Sequence, residues 1–477
     1  MAAGTSEMDG VAVLGVSAET LRRLLEDART AGADFCEIFL EKRRVYSLRM
    51  ENGRIKSIEP VFARGAGLRF QRGKAFSYVS TNDVSEQGLQ AALASGLDIL
   101  QLPTDLRHRK RYGLALEPLR DYALIGSKAS WENLSTEPLM QTVHRGARAL
   151  ENTIQHGQML TVTALRDWQE VVVVSTDGVF ARDVRFNQKF SLAAICEEGA
   201  HRISMHKGTG STADPTYFES VDVESIANEL SHSCGTMLRA EYVSARECPV
   251  VIAGKFGGVI FHEACGHLLE TTSIKRGTTP FAGKRGEAIA HPSLTAWDEG
   301  LWDRAYGSLS MDDEGMPVQR TLLIENGVLK NFIADRAGAQ EFGLPRTGSG
   351  RRQNHSFASA SRMRNTFIDA GPHTPEEILA TIEDGLYCTN MGGGSVGQTG
   401  AFNFSVNEAY EVKMGKIGKP VKGATLVGEA EDIMMKISMC GNDLGLAPGH
   451  CGSISGTVYT TVGQPTIKVD AIRVGGR

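Results

Sequence analysis

The sequence has 477 residues, of which 41% are hydrophobic and 22% are charged. This length favours two large domains or about three domains of roughly 150 residues each, and the composition is typical of a globular protein. The formal net charge of −5 excludes a global positive field that would attract nucleic acid, and no apolar stretch approaches the roughly 18 residues of a membrane span. The eight cysteines are scattered without C-x-x-C spacing. Because that pattern is typical of reduced thiols, we expect a cytoplasmic protein.

The first half of the chain predicts two rounds of a helix followed by antiparallel strands. In the first round, apolar residues recur at helical spacing within residues 18–31, and Gly32 is placed to end the helix. Asn52-Gly53 is a hairpin-turn sequence, so strands are expected on both sides of it. The second round comprises a helix at about 140–154, strands at 160–166, 169–175 and 178–184, and a long helix at about 220–242.

We place a domain boundary between residues 235 and 236. Residues 1–235 are then an N-terminal domain that supplies the substrate cavity and dimer contacts, and residues 236–477 are a catalytic domain. The predicted fold class is α+β, with an N-terminal helix and β-meander domain and a C-terminal β-rich domain that carries a metal-binding helix.

That helix contains His262, Glu263 and His267, the pattern H-E-x-x-x-H. Two imidazoles beside a carboxylate are typical of a metal-dependent hydrolase, in which the histidines hold the ion and the glutamate moves a proton. Five residues of a regular helix rotate by about 500°, which leaves the second histidine about 140° from the first. We therefore expect a wide turn with i→i+5 hydrogen bonding, eased by Gly266. The competing interpretation is a pair of ordinary histidines on a helix.

Catalytic zinc usually takes three protein ligands, so the two histidines need a partner. The candidates are Glu270, His355, Cys440, His450 and Cys451. A cysteine in a tight, glycine-flanked loop is favoured because a thiolate binds zinc strongly. Cys451 fits that description best, and a buried inert thiol is the alternative.

A glycine-rich stretch at residues 391–400 contains a formal G-x-G-x-x-G pattern. We reject a dinucleotide site there, because the residues that follow alternate like a strand where such a site needs a helix. Gly392, Gly393 and Gly394 could instead offer bare backbone to an extended peptide. A structural turn is the alternative.

The motifs H-E-A-x-G-H at 262–267 and P-G-x-C-G at 448–452 resemble the TldD/PmbA family of metalloproteases. Similar stretches are Asp312–Gly315, Leu322–Gly327, Thr347–Arg352 and Gly463–Asp470. Because the chain carries the histidine motif, it resembles the TldD-type subunit of the family more than the TldE (PmbA) type. The His450 beside the cysteine is a departure from the family pattern.

The resemblance implies one Zn²⁺ per chain, held by His262, His267 and Cys451, with Glu263 as the general base. It also implies a dimer, with a TldE-like partner or with a second copy, that encloses the site and cleaves unfolded or small peptides. An oxyanion donor is expected as well, and Arg351, Arg352 and His355 are the candidates. The alternatives are a zinc-dependent small-molecule amide hydrolase and a non-catalytic scaffold subunit, although a scaffold would not need Glu263.

Overall fold

The computed structural model describes residues 12–110, 113–122, 134–397 and 400–476. The helices of this part are α1 (Ala18–Ala31), α2 (Glu86–Ile99), α3 (Glu137–Thr153), α4 (Tyr217–Ser220), α5 (Val223–Arg239), α6 (Val259–Ala264), α7 (Thr271–Arg276), α8 (Arg336–Phe342), α9 (Pro375–Ala380) and α10 (Ala430–Met435). The first strands are β1 (Ala12–Val13), β2 (Val16–Ser17), β3 (Phe35–Glu51), β4 (Arg54–Arg72), β5 (Ala75–Thr81), β6 (Arg120–Asp121), β7 (Gly157–Ser175), β8 (Phe180–Glu198) and β9 (His201–Thr212).

The later strands are β10 (Glu241–Tyr242), β11 (Arg246–Ile252), β12 (Ala296–Glu299), β13 (Arg320–Glu325), β14 (Val328–Leu329), β15 (Gly350–Arg351), β16 (Ala360–Ser361), β17 (Asn365–Ile368), β18 (Asp384–Val396), β19 (Ala401–Lys413), β20 (Lys416–Lys422), β21 (Thr425–Glu429), β22 (Ile437–Cys440), β23 (Gly445–Ser453), β24 (Gly456–Gln464) and β25 (Ile467–Gly475). The fold is therefore a mixture of helices and predominantly antiparallel sheets.

One seven-stranded sheet organises the N-terminal half, in the order β5-β4-β3-β7-β8-β6 with β9 beside β8. Helices α1 and α2 pack over one end of it and α3 and α5 over the other, and each pair encloses its own apolar core. The helix predicted at 18–31 is confirmed: Ser17 caps its first turn, and Gly32, with φ 103°, ends it. The hairpin turn at Asn52-Gly53 is confirmed too, because both residues adopt positive φ between β3 and β4.

The strands predicted at 160–166 and 169–175 form one strand, and the strand predicted at 178–184 is the start of β8. Strand β7 runs without interruption from Gly157 to Ser175. At the predicted break, Asp167 is buried and pairs with Arg43 of the neighbouring strand β3. A partner across the sheet therefore keeps a polar sequence inside a continuous strand.

Two large sheets and the small β15-β16 pair lie in the described C-terminal half. The larger has the order β10-β20-β19-β18-β11-β25-β21, with β22 also pairing with β25, and the smaller has the order β14-β13-β12-β17-β24-β23. Helix α6 contacts β18 and β19 of the first sheet and β17 and β24 of the second. It is thus held between the sheets, and β23 forms an edge of the smaller sheet beside it. No helix of the described residues is long and apolar enough to cross a membrane.

Candidate metal centre

The helix that carries the histidine motif is short and breaks inside the motif. α6 ends at Ala264, Cys265 adopts φ −132° and ψ −49°, and a 3-10 turn follows at Gly266–Leu269. The hydrogen bonds here are i→i+4 and i→i+3, from Cys265 N to Phe261 O and from Leu268 N to Cys265 O. The expected wide i→i+5 turn is therefore wrong. The break at Cys265 reorients the second histidine instead.

Gly266 is needed for a reason other than backbone freedom. A Cβ built on it would lie 2.2 Å from the sulfur of Met363. Met363 is fully buried beneath the broken helix. The glycine therefore permits a close approach between the motif and the chain that leads into β17.

The structure brings His262, His267 and Cys451 together. The Nε2 atom of His262 lies 3.2 Å from Cys451 Sγ, and the Nε2 atom of His267 lies 3.2 Å from the same sulfur. The two imidazole rings are 5.0 Å apart and nearly perpendicular. Cys451 lies on β23 rather than in the expected loop. An edge strand therefore supplies the donor that the helix lacks.

The charges of the three groups depend on one another. Burial alone would raise the pKa of the Cys451 thiol, but His262 and His267 hold it well below its ordinary value. Burial alone would lower the pKa of His267, but Glu270 and Cys451 hold it well above its ordinary value. The cluster therefore favours a thiolate, which is the form of cysteine that binds metals.

Glu263 follows His262 on α6 and is partly exposed, with its carboxylate 3.9 Å from His267 Nε2. Burial raises its pKa, and the two histidines offset only part of that rise. A carboxylate whose pKa is raised is a stronger base than an ordinary carboxylate, and it can accept a proton and later return it.

Two supporting residues were not assigned such roles from the sequence. Glu270 was weighed there as a ligand, but its carboxylate lies 3.1 Å from His267 Nδ1 and accepts a hydrogen bond from Met363 N. It therefore fixes the ring so that Nε2 faces the sulfur. Arg362 is fully buried and donates to the carbonyl oxygen of Cys451 and to Ser455 Oγ. Neither role had a signal in the local sequence, because the partners meet only in the folded chain.

The other weighed ligands lie elsewhere. His450 alternates with Cys451 along β23, packs against Tyr306 and Tyr459, and has its Nδ1 atom 3.3 Å from Lys189 Nζ. Desolvation, with a contribution from Lys189, lowers its pKa to about 4. Cys440 is buried in the apolar core around α6, and burial raises its pKa to about 11.

Arg351, Arg352 and His355, the expected oxyanion donors, belong to a separate cluster between the two halves of the molecule. Arg352 donates to Glu37 of β3 at 2.6 Å, and His355 contacts Glu41 of the same strand. Arg351 donates to the carbonyl oxygen of Met363. All three are buried. Arg352 and His355 thus connect the C-terminal half to β3, and none of these contacts involves Glu263.

A cavity of about 1130 Å³ opens at the metal centre, with Glu263, His267 and Cys451 in its wall. Residues 394–397 of the glycine stretch and residues 450–454 line it as well. The alternative of a structural turn is wrong for Gly392, Gly393 and Gly394, which lie within β18. Of these three only Gly394 lines the cavity, and a Cβ on it would collide with Phe404. Residues 398 and 399 of the stretch lie outside the described residues.

The donor set fits a metal ion. Within the described residues, His262, His267 and Cys451 offer three ligand atoms that all lie within 4.8 Å of one another. Imidazole nitrogen and thiolate sulfur are ligands that zinc prefers, and three protein ligands leave a position open for chemistry. Because both Nε2 atoms lie close to the same sulfur, the three ligand atoms could bind a single ion.

Comparison with known proteins also indicates a metal-dependent peptidase. Models of the PmbA/TldA metallopeptidase family match residues 36–100 as domain 1, 130–238 as the central domain and 245–476 as the C-terminal domain. A metalloprotease TldD homolog of Haemophilus influenzae is 31% identical over 469 residues, or 97% of each protein. A TldD homolog of Buchnera aphidicola is 30% identical over 462 residues, or 95% of each. A zinc metalloprotease TldD homolog of Saccharolobus solfataricus is 30% identical over 291 residues, or 61% of this chain and 65% of that protein.

Two solved structures share the fold. TldE from Thermococcus kodakarensis superposes with a TM-score of 0.75 at 18% identity, covering 96% of this chain and 100% of that one. A Thermotoga maritima protein superposes with a TM-score of 0.76 at 19% identity, covering 96% and 99%. The fold and the site thus define a metallopeptidase whose candidate ligands come from a broken helix and an edge strand. The chain belongs to the PmbA/TldD family.

The family models divide the chain more finely than the sequence analysis did. Domain 1 and the central domain match separate segments, yet their strands β3–β5 and β7–β9 share one sheet. The boundary at 235/236 stays a prediction.

Proposed function

We propose that the chain is a zinc-dependent metalloprotease that hydrolyses peptide bonds of unfolded or small peptides. His262, His267 and Cys451 would hold one Zn²⁺, and Glu263 would act as the general base. The observation that carries the proposal is the convergence of three metal donors beside Glu263 in the wall of a large cavity.

Zinc bound there would supply Lewis-acid polarisation of the scissile carbonyl and of a water molecule. Glu263 takes a proton from the attacking water and returns it to the leaving amine, and its raised pKa suits both steps. Glu270 keeps the Nδ1 atom of His267 engaged, so that Nε2 remains directed at the cavity. Arg362 fixes the backbone of Cys451 and with it the position of the thiolate.

Two strands favour a peptide over a small molecule as the substrate. Strand β11 pairs with β18 only as far as Cys388, so residues 390–396 pair with β19 alone. Strand β23 is likewise an edge, paired only with β24. Both free edges line the cavity, and an extended peptide could add to either through main-chain hydrogen bonds. Such binding depends little on side chains and predicts broad specificity.

The assembly and compartment belong to the same proposal. A relative of the same fold is named TldE, which supports a TldE-like partner, with a second copy of this chain as the alternative. A dimer that encloses the cavity would exclude folded proteins. All eight cysteines are free and buried, which suits a reducing cytoplasm.

The test is a digest of several unfolded peptides and one stable folded protein by the purified chain, alone and with a TldE-like subunit. We expect cleavage of the peptides, loss of cleavage with a chelator, and recovery when Zn²⁺ is added back. Cleavage that persists in chelator would contradict zinc dependence. Turnover of a small amide without turnover of any peptide would favour the amide-hydrolase alternative.

A further inference from the structure

A second cavity, of about 580 Å³, lies beside the metal centre. Lys189, Lys207 and Lys255 line it together with His206, and we call it the lysine cavity. These lysines come from three separate segments: β8, β9 and the 3-10 turn that precedes α6. The fold therefore gathers positive charge from distant parts of the sequence into one concave site.

The lysine cavity has an excess of positive charge, because its wall carries three lysines and two carboxylates, Glu229 and Asp443. Across the described part of the chain, none of the three lysines has a carboxylate oxygen within 4.0 Å, and Lys189 Nζ lies 3.3 Å from His450 Nδ1. Asp443 accepts hydrogen bonds from the backbone N and the hydroxyl of Thr466. A concave site with lysines that are not held in ion pairs attracts anions.

Neighbouring groups respond to this charge. Partial desolvation, together with the charges of Lys189 and Lys207, lowers the pKa of His206. Desolvation also lowers the pKa of Lys189. The shift of His206 has the direction expected where cations lie close together away from bulk water, and a bound anion would oppose it.

The lysine cavity and the metal cavity follow one another along the same two strands. Residues 390 and 391 of β18 line the lysine cavity, and residues 394–396 line the metal cavity. On β23, residues 447–449 line the first and residues 451–453 the second, with His450 in both walls. The nearest lining residues of the two cavities are three residues apart on β18 (391 and 394) and two apart on β23 (449 and 451), which is roughly 7–10 Å at about 3.3 Å per residue. An extended peptide reaching the metal centre could therefore enter the lysine cavity.

We propose that the lysine cavity binds a carboxylate of the peptide substrate, located two or three residues from the scissile bond. This inference rests on the proposed peptidase function and deepens it. It adds a preference for a negatively charged group to a binding mode that otherwise depends on main-chain hydrogen bonds. The carboxylate comes from an acidic side chain or from the free C-terminus of the peptide. Both offer the same oxygen acceptors to the lysine ammonium groups.

Binding without turnover tests the proposal separately from catalysis. The full chain carrying Glu263→Gln, stripped of metal, is titrated into labelled octapeptides of one uncharged sequence, and fluorescence anisotropy gives Kd. The first peptide has a free C-terminus and no Glu. The second set has an amidated C-terminus and a single Glu, placed at each position from 2 to 7 in turn. The third peptide has an amidated C-terminus and no Glu. We expect one of the two carboxylate arms to bind about tenfold more tightly than the third peptide, a typical gain for a partly exposed charge-assisted hydrogen bond.

The variant Lys207→Gln/Lys255→Gln should remove that difference, while Lys416→Gln, an exposed lysine of β20, should keep it. A preference for the free C-terminus identifies the chain end as the source, and a preference for one Glu position identifies a side chain. Equal affinity for all peptides, or a preference that survives the double substitution, would overturn the proposal. If the double variant does not fold, the peptide comparison on the parental chain still decides. Absence of cleavage by the metal-loaded wild-type chain would count against the proposed function, not against this preference.

Discussion

Two buried clusters of polar side chains, one between the two halves and one at the metal centre, differ in the chemistry that they support. In the cluster between the halves, Arg352 pairs with the carboxylate of Glu37, and His355 Nδ1 lies 3.0 Å from the carboxylate of Glu41. At the metal centre, the ring nitrogens of His262 and His267 face the sulfur of Cys451. The first cluster joins side chains to buried carboxylates, whereas the second brings three potential metal ligands together.

The comparison shows why residue type alone was a poor guide. Arginine and histidine in a polar, glycine-rich stretch were candidates for oxyanion stabilisation, yet Arg352 and His355 have buried carboxylate partners on β3. In the candidate functional site, several metal-ligand atoms converge on one point. In the structural cluster, each charged side chain has a partner of opposite charge or a hydrogen-bonding partner. The following substitutions test that distinction.

The largest effect is expected for Cys451→Ser, which removes the thiolate from the centre. Zinc content should fall from about one ion per chain to nearly none, because two histidines alone do not complete a catalytic zinc site. Metal analysis by mass spectrometry measures this. Cys440→Ser is the matched control, since Cys440 is equally buried but lies in the apolar core. Full zinc retention by the Cys451 variant would refute the ligand assignment.

Glu263→Gln should keep zinc and fold but lower the rate of peptide cleavage by about 10²–10⁴-fold, the usual cost of removing a general base. Turnover of a fluorogenic peptide, with circular dichroism and metal analysis alongside, measures the effect. Glu325→Gln, at an exposed hairpin turn, should behave as wild type. Near-normal turnover would show that another group moves the proton.

Arg352→Met should lower the free energy of unfolding by about 3 kcal/mol, because it leaves the carboxylate of Glu37 buried without its cation. The zinc content of the variant should not change, since Arg352 belongs to the cluster between the halves. Urea denaturation measures the stability, and Arg202→Met serves as an exposed control. Loss of zinc without loss of stability would show that the two clusters are not separate.

Glu270→Gln should weaken zinc affinity by about 10–100-fold, the usual cost of losing a carboxylate that orients a ligand histidine. The hydrogen bond to His267 Nδ1 is retained only in a neutral, weaker form. Competition with a chromophoric chelator measures the affinity. An affinity equal to that of Glu325→Gln would mean that the fold alone orients the imidazole.

Local signals predicted much of the fold. The leucine spacing and Gly32 gave α1 its correct ends, and Asn52-Gly53 gave the hairpin. Strand β7 was predicted as two strands. At the predicted break, Asp167 is hydrogen-bonded to Arg43 and to Tyr459, which lies 292 residues away in the sequence, so its partners could not be seen locally. The broken helix was missed because periodicity describes regular helices, and nothing local marks Cys265 as the break.

The metal centre was predictable only in part. The pattern of His262, Glu263 and His267 lies in one short stretch, whereas Cys451 was favoured among five candidates by its flanking glycines and then by the family resemblance. The supporting roles of Glu270 and Arg362 depend on Met363 and Cys451, so neither could be foreseen without the fold. Lys189, Lys207 and Lys255 were missed for the same reason.

The position of Cys451 on β23 has a consequence for synthesis in the cell. The cysteine is translated 189 residues after His262, and among the described strands its strand pairs with β24, which follows it. A chain still attached to the ribosome before that point has the histidine helix but not the third donor. Under the proposed ligand assignment, the donor set is therefore completed only after translation has passed β24.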